Sequence, residues 1–340
     1  MKASLFILFI LVFQTVFAQK EVSHQAFRIM FYNVENLFDP FNDSLTNDDE
    51  FTEEGTRHWT WYKFQTKINQ IYKVIMAAGN PYPPAIIGLC EVENRFVLKQ
   101  LAYKTPFSKF NYKIVHQESP DRRGIDVGLL FDSKRFELLY YEAVTVDFPF
   151  KPDSRTRDIL YVKGVLMGVD TIHIFVNHWP SRWGGQMATD PKRKRAADIL
   201  RSKTDSLFLV HQEPLIVIMG DFNDYPSNES LMVNLGAGNK KEEKNLVNLM
   251  LDYSDNFSIG SHKYKGEWGM LDQFIVSRYM LKPQSLLKIE QQKAFVFDAS
   301  FLLEADEKYT GKRPNRTSIG YKYHGGYSDH LPIYIDIISD

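Results

Sequence analysis

The chain has 340 residues, 41 Lys+Arg against 42 Asp+Glu, 44% hydrophobic and 24% charged. That length suffices for one large domain or two ordinary ones with a substantial core, and a mean hydropathy of −0.32 excludes a polytopic membrane protein and a disordered chain. A net charge of −1 is unlike that of a general polyanion binder, and a single cysteine, Cys90, excludes an intramolecular disulfide framework and a multi-cysteine zinc site.

From the N-terminus, Lys2 precedes an apolar run over Leu5–Val12, and Val16-Phe17-Ala18 supplies a small-residue pattern before Gln19-Lys20. The run is shorter than the ~20 residues a spanning helix needs. Residues 1–18 are therefore expected to be a signal peptide cleaved after Ala18, making the protein secreted or periplasmic with no stable membrane insertion. Phe27, Ile29 and Phe31 alternate with Arg28, Met30 and Tyr32, which predicts a half-buried strand. Helical spacing follows over Trp61–Ala78, closed by Gly79 and Pro81. Ala85–Leu89 reads as a central strand ending in Cys90-Glu91. Further strands are expected at Tyr112–His116, Val127–Phe131, Phe136–Val146, Ile159–Met167 and Thr171–Val176. Lys192–His211 reads as a helix, and Leu215–Met219, Leu271–Val276 and Ile333–Ile338 as strands. No repeat, linker or composition break interrupts residues 19–340, which predicts a single domain. Many strands with few helices suggest two packed sheets flanked by helices.

The hydrophobic runs end in polar groups that a core would reject. Asn33 and Glu35 follow the first strand, Glu91 the second, and Asn177-His178 the Ile172–Val176 run. Leu215–Met219 ends in Gly220-Asp221-Phe222-Asn223-Asp224. Asp272 opens the Leu271 strand, and Ser328-Asp329-His330 precedes the last one. Carboxylates, histidines and asparagines gathered at sheet ends suit a hard divalent cation and a phosphate ester, because magnesium prefers oxygen ligands and needs only one or two carboxylates.

These residues carry a resemblance. Phe31-Tyr32-Asn33-Val34-Glu35-Asn36, Cys90-Glu91-Val92, Gly124-Ile125-Asp126-Val127-Gly128, Asn177-His178-Trp179-Pro180-Ser181-Arg182, Gly220-Asp221-Phe222-Asn223-Asp224, Leu271-Asp272-Gln273 and Ser328-Asp329-His330-Leu331-Pro332 occur in that order. The set resembles the endonuclease/exonuclease/phosphatase superfamily over Arg28–Ile337. The resemblance implies a four-layered α/β sandwich of two facing mixed β-sheets flanked by helices, with a metal-dependent phosphoesterase site at one end. It implies metal contacts from Glu91, Asn33 and Asp329, with magnesium the first expectation and manganese or calcium the alternatives. Asp221 is then the residue that orients or deprotonates water, and Asn223 the amide facing the transition-state oxygen. His178 and His330 are the phosphate-facing histidines, with Asp126 and Asp272 as their carboxylate partners. Either Asp221 or the Asp272–His330 pair serves as general base. Cys90 stands where many relatives carry Gln, and its apolar run makes it a core residue rather than a nucleophile.

Arg122, Arg123, Arg155, Arg157 and Arg182 lie on loops near these motifs. Arg182 is the expected substrate-phosphate contact, with Trp179 and Trp183 as faces for a base. The acidic stretch Asp39–Glu54 reads as a solvated loop or a weak cation site, and Lys192-Arg193-Lys194-Arg195 as a solvated helix face or a polyanion contact. The expected function is an exported magnesium-dependent endonuclease. Its partner is nucleic acid or another phosphate ester, and no protein partner is indicated. The alternatives are a phosphatase or sphingomyelinase-like phosphodiesterase on the same fold, and a binding protein that has lost catalysis. The last would be expected to lose one of Glu91, Asp221, Asn223, Asp329 or His330, and all are present.

Overall fold

A computed structural model describes residues 26–79, 81–253 and 260–339; the expected signal peptide lies outside these residues. Two seven-stranded sheets face each other. The first runs 287–289, β10, β1, β2, β4, β3, with 295–296 also paired to β10, where β1 is Phe27–Leu37, β2 Ile86–Val92, β3 Tyr112–His116, β4 Asp126–Asp132 and β10 Ile333–Ser339. The second runs β5, β6, β7, β8, β9, then 246–248 and 237–238, where β5 is Phe136–Val144, β6 Ile159–Leu166, β7 Asp170–His178, β8 Leu215–Asp221 and β9 Asp272–Ser277. Both sheets are mixed: β1–β2 and β7–β8 are parallel, whereas β2–β4 and β8–β9 are antiparallel.

Period-two patterning decides which face each residue joins. Phe27, Ile29 and Phe31 point between the sheets with Ile172, Ile174, Val217 and Met219. Met30, Tyr32 and Val34 point the other way, under helix α1 (Trp61–Gly79) and helix α2 (Arg95–Lys104). The first strand is thus buried on both faces, not one, because helices cover the side expected to meet water. Arg28 fits there by pairing with Asp336 across the β1–β10 register, at 2.7 Å and 2.8 Å, and by lying over the Tyr334 ring. On the far side of the second sheet, Phe175, Ile216 and Ile218 meet Ala196, Ala197 and Leu200 of helix α3 (Gln186–Val210). The layers therefore run helix, sheet, sheet, helix.

Phe64, Ile68, Ile71, Ile75 and Ala78 recur at helical spacing and form the buried stripe of α1. Helix α2 went unread in the sequence. It is only ten residues long, and its start depends on Asn94, whose side chain accepts the Phe96 and Val97 N–H groups at 2.8 Å and 3.1 Å. Helix α3 starts six residues before the expected Lys192 and carries Pro191 inside it. A proline near a helix start reads as a first-turn residue, which hid the preceding turn.

Candidate active site

The register of the second sheet aligns three side chains. His178 on β7 is paired with Asp221 on β8, and Asp221 with Asp272 on β9. Gly220 permits this closeness, since a Cβ there would stand 2.4 Å from the Asn177 carbonyl oxygen. The first sheet contributes Asn33 and Glu91 where the ladders of β1 and β2 break register. Glu91 has φ 59°, and Asn223 beyond β8 has φ 51°. Left-handed backbone at non-glycine residues costs about 1–3 kcal/mol, and here it accompanies the turning of polar groups into one cleft.

The contacts in the cleft form a chain. Asn33 donates through Nδ2 to Glu91 Oε1 at 3.2 Å and to Asp221 Oδ2 at 3.1 Å. Its own Oδ1 accepts the Glu35 N–H at 3.0 Å. The Asn36 N–H donates to Glu91 Oε2 at 2.9 Å, and the Asn223 N–H to Asp221 Oδ1 at 2.8 Å. His178 Nε2 stands 3.9 Å from Glu91 Oε1 and 3.8 Å from Asp221 Oδ2. His330 Nε2 stands 3.9 Å from the same Asp221 oxygen, and its Nδ1 lies 2.7 Å from Asp272 Oδ2.

Charge differs across this cleft. Burial works against a protonated His330, but Asp272, Asp221 and Asp329 outweigh it and hold its pKa well above the ordinary histidine value. Burial, joined by Arg157, Arg123 and His330, holds His178 well below that value. Burial also raises Asp221; His330 pulls it down, and Asp272 and Glu91 push it up.

Several expected residues have other partners. Trp179 is 1% exposed, packs edge-on against Phe222 at 4.8 Å and donates Nε1–H to Asn177. It offers no face to a base, which corrects the stacking expectation; Trp183, 90% exposed, is the accessible indole of that segment. Arg182 donates to the Asn223 carbonyl at 2.6 Å and to Asp224 and Asn228 at 3.1 Å and 3.0 Å. It clamps the loop beyond β8, together with the fully buried Arg193, 2.8 Å from Asp224. The run Lys192–Arg195 is accordingly no uniform solvated face. Asp126 is held by the Ser119 N–H and hydroxyl and lies 3.3 Å from His116 Nε2. His178 Nδ1 is buried with no hydrogen-bond partner, so Asp126 does not pair with it here. Asn223 spends one side-chain N–H on the Trp179 carbonyl at 3.0 Å. The acidic loop is partly interior: Asp39 and Asp48 are buried, and Asp39 accepts from Phe41 N–H and Asn94. Cys90 is fully buried, and burial raises its thiol pKa well above the usual value.

Other residues at the site carry no motif. His262 forms an isolated bridge with His330, their rings 4.7 Å apart. Arg316 donates to Asp329 at 2.7 Å and lies 3.7 Å from Glu35. The fully buried Lys67 of α1 donates to Thr317 and, at 2.7 Å, to the Tyr327 carbonyl. The candidate ligand atoms of His262, Asp329 and His330 lie within 4.8 Å of one another, as do those of Asp221, Asp272 and His330. Glu91 stands outside both groups, linked to Asp221 through Asn33. The donors are mostly carboxylate oxygens in a cleft where negative charge is concentrated, which fits a hard divalent cation.

A two-sheet sandwich with carboxylates and histidines at one sheet end defines a class, the metal-dependent phosphoester hydrolases. The family model described as "Endonuclease/Exonuclease/phosphatase family" matches residues 28–339, and the chain belongs to that family. No curated protein matches it significantly. Among solved structures, a D. rerio TDP2 complexed with a single-strand DNA product is similar at TM-score 0.56 and 13% identity, covering 92% of this chain and 99% of that one. The human Nocturnin catalytic domain with bound sulfate is similar at TM-score 0.54 and 17% identity, covering 93% and 95%. A Bacteroides thetaiotaomicron mannosyl-6-phosphatase is similar at 0.55 and 14%, covering 92% and 99%. At these identities the likenesses establish the fold. Among the described residues, no helix is long and apolar enough to cross a membrane.

Proposed function

We propose that the protein hydrolyses phosphodiester bonds of nucleic acid with magnesium as its metal, after export and cleavage behind Ala18. The observation that carries this reading is the convergence on Asp221 Oδ2 of Asn33 at 3.1 Å, His178 at 3.8 Å and His330 at 3.9 Å. Glu91 and Asp329 are the ligands that would hold the metal, which supplies positive charge toward the phosphoryl oxygens when bound. Asn33 and the Asn223 N–H fix both oxygens of Asp221, so its lone pairs face a water without reorganising. Asp221 accepts or directs the proton of that water. His330, kept cationic by Asp272, faces the negative charge that grows in the transition state. His178, kept neutral, presents Nε2 as an uncharged partner to a phosphoryl oxygen. An amide carries two N–H groups, and the one Asn223 does not give to Trp179 serves the same oxygen.

Nucleic acid is favoured by the exposed Trp183 and by the arginines beside His178; the D. rerio TDP2 structure with a DNA product supports the same reading. The mannosyl-6-phosphatase favours a second reading, hydrolysis of sugar phosphomonoesters. The deciding experiment compares a single-stranded oligonucleotide with mannose 6-phosphate, each in magnesium and in excess EDTA. Magnesium-dependent cleavage of the oligonucleotide at the higher kcat/KM is expected. A higher value on the monoester moves the protein to the second reading, and full activity in EDTA removes the metal. Glu91→Gln is expected to raise the magnesium concentration for half-maximal activity about 10–100-fold with unchanged circular dichroism. Mass spectrometry of the exported protein checks the cleavage site.

A further inference from the structure

A basic recess of about 560 Å³ is lined by Arg123, Arg155, Arg157 and Lys192 together with Ser181 and Trp183, and two of these cations, Arg157 and Arg123, act electrostatically on His178. None of the described residues that line it is acidic. One buried carboxylate beneath it, Asp121, is shared by two of the cations: it accepts from Arg157 at 3.1 Å and lies 3.7 Å from Arg123. Among the described residues, Arg155 donates to neutral carbonyls alone, those of Pro152 and Ser154. Lys192 donates to the Ser154 hydroxyl at 2.8 Å. Four cations over one carboxylate leave a surplus of positive charge in a concave wall, where field lines concentrate and an anion is drawn in.

Arg157 adds a second observation. It is 5% exposed, with one nitrogen committed to Asp121 and another to the Trp179 carbonyl at 2.7 Å. The guanidinium is thus fixed in the wall of the recess, where it acts on an anion through its charge.

The recess is close to the chemistry. Ser181 is three residues past His178, so the two backbones are separated by at most about 11 Å. Trp183, at the rim, exposes an indole that would stack on an unpaired base. We propose that this recess is a second phosphate subsite, which takes the phosphate next to the scissile one in single-stranded nucleic acid while Trp183 stacks on the intervening base. The assignment rests on the nuclease reading. A stacked, splayed base requires a single strand, and one subsite of four cations suits a chain whose net charge is −1.

The test uses the full-length protein in magnesium with a thymidine dinucleotide, which has one phosphate, and a tetranucleotide, which has three. The wild type is expected to prefer the tetranucleotide by about 10-fold or more in kcat/KM, the range of one charge-assisted contact. Arg155→Ala and Lys192→Ala should each lower that preference several-fold and reduce the slope of log KM against log salt by about 0.7, the share of one phosphate on a single strand. Both residues are surface-facing, and circular dichroism verifies folding. A preference unchanged in both variants overturns the proposal. If the variants instead lose a preference for a sugar bisphosphate over its monophosphate, the recess takes a small ester's phosphate and its nucleic-acid assignment is overturned. Should the wild type cleave neither nucleotide, the nuclease reading fails, and the recess is judged by binding alone. A phosphorothioate tetranucleotide in EDTA should then quench a fluorescence signal that Trp183→Phe removes and Arg155→Ala weakens; no quench in the wild type overturns it.

Discussion

His178 and His330 face the same oxygen of Asp221 from nearly equal distances, yet they live in opposite surroundings. On the His330 side Asp272, Asp221 and Asp329 outweigh burial, whereas His178, although Glu91 and Asp221 stand 3.9 Å and 3.8 Å away, is lowered by burial and then by Arg157 and Arg123. One imidazole is held as a cation and the other as a neutral ring by the same degree of burial, so the neighbours decide and not the depth. The difference shows how a single cleft divides its labour. The acidic half suits a metal and proton traffic, while the basic half suits gripping a polyanion.

The two halves meet at one oxygen, and damage there should cost the most. Asp221→Asn and His330→Ala should each lower kcat about 10²–10⁴-fold with KM little changed, because both act on charge that develops in the transition state. Steady-state kinetics at saturating magnesium checks this. Asp272→Asn leaves the His330 ring and an acceptor for its Nδ1–H but removes the charge that holds it cationic, so the expected loss is smaller, about 10–100-fold. A fall as large as that of His330→Ala would assign Asp272 a direct part.

The basic half is probed through stability. Arg157→Met leaves the Trp179 carbonyl unpaired in the interior and takes from Asp121 its buried partner, leaving Arg123 beside it, and about 3 kcal/mol of destabilisation is expected, read from urea melts. The smallest effect lies outside both halves. His173 on β7, hydrogen-bonded to the Tyr161 hydroxyl at 2.7 Å, is pushed down to about 4 by burial, then by Lys163 and His211. Below the unfolded pKa the unfolded chain binds the proton more readily, so this stabilisation is complete above about pH 6.5 and is lost as pH falls toward 4. Between pH 7 and 5 the loss should be about 1–2 kcal/mol, and His173→Phe should flatten that slope. A slope that persists would place the titration in the cleft.

Much of this was legible in the sequence, and the reasons differ by region. Alternation in β1 showed a strand because a two-residue period fits a strand and little else, and the apolar runs of β2 and β8 read as strands because they are too short for a helix. The Asp272–His330 contact was implied by the family resemblance, and the structure places the two side chains 2.7 Å apart. Trp179 misled because a tryptophan in a strand-end loop looks exposed; only the fold shows Phe222 and Arg157 closing over it. The Asp126–His178 pairing failed for a similar reason, since Ser119 and His116 reach Asp126 through tertiary structure. His262, Arg316 and Lys67 are brought to the site by packing between segments far apart in the chain, and no spacing announces them. Strands of two or three residues, such as 237–238 and 246–248, are too short to carry a period at all.

Asp221, braced by Asn33 and faced by both histidines, is the residue on which phosphodiester cleavage depends in the proposed mechanism. The decisive measurement is the turnover of one single-stranded oligonucleotide by wild type and Asp221→Asn, side by side, in magnesium and in EDTA. The expected result is cleavage only by the wild type with magnesium, at least about 10²-fold faster than the variant. Near-normal turnover by a folded Asp221→Asn protein, or undiminished cleavage in EDTA, would contradict it.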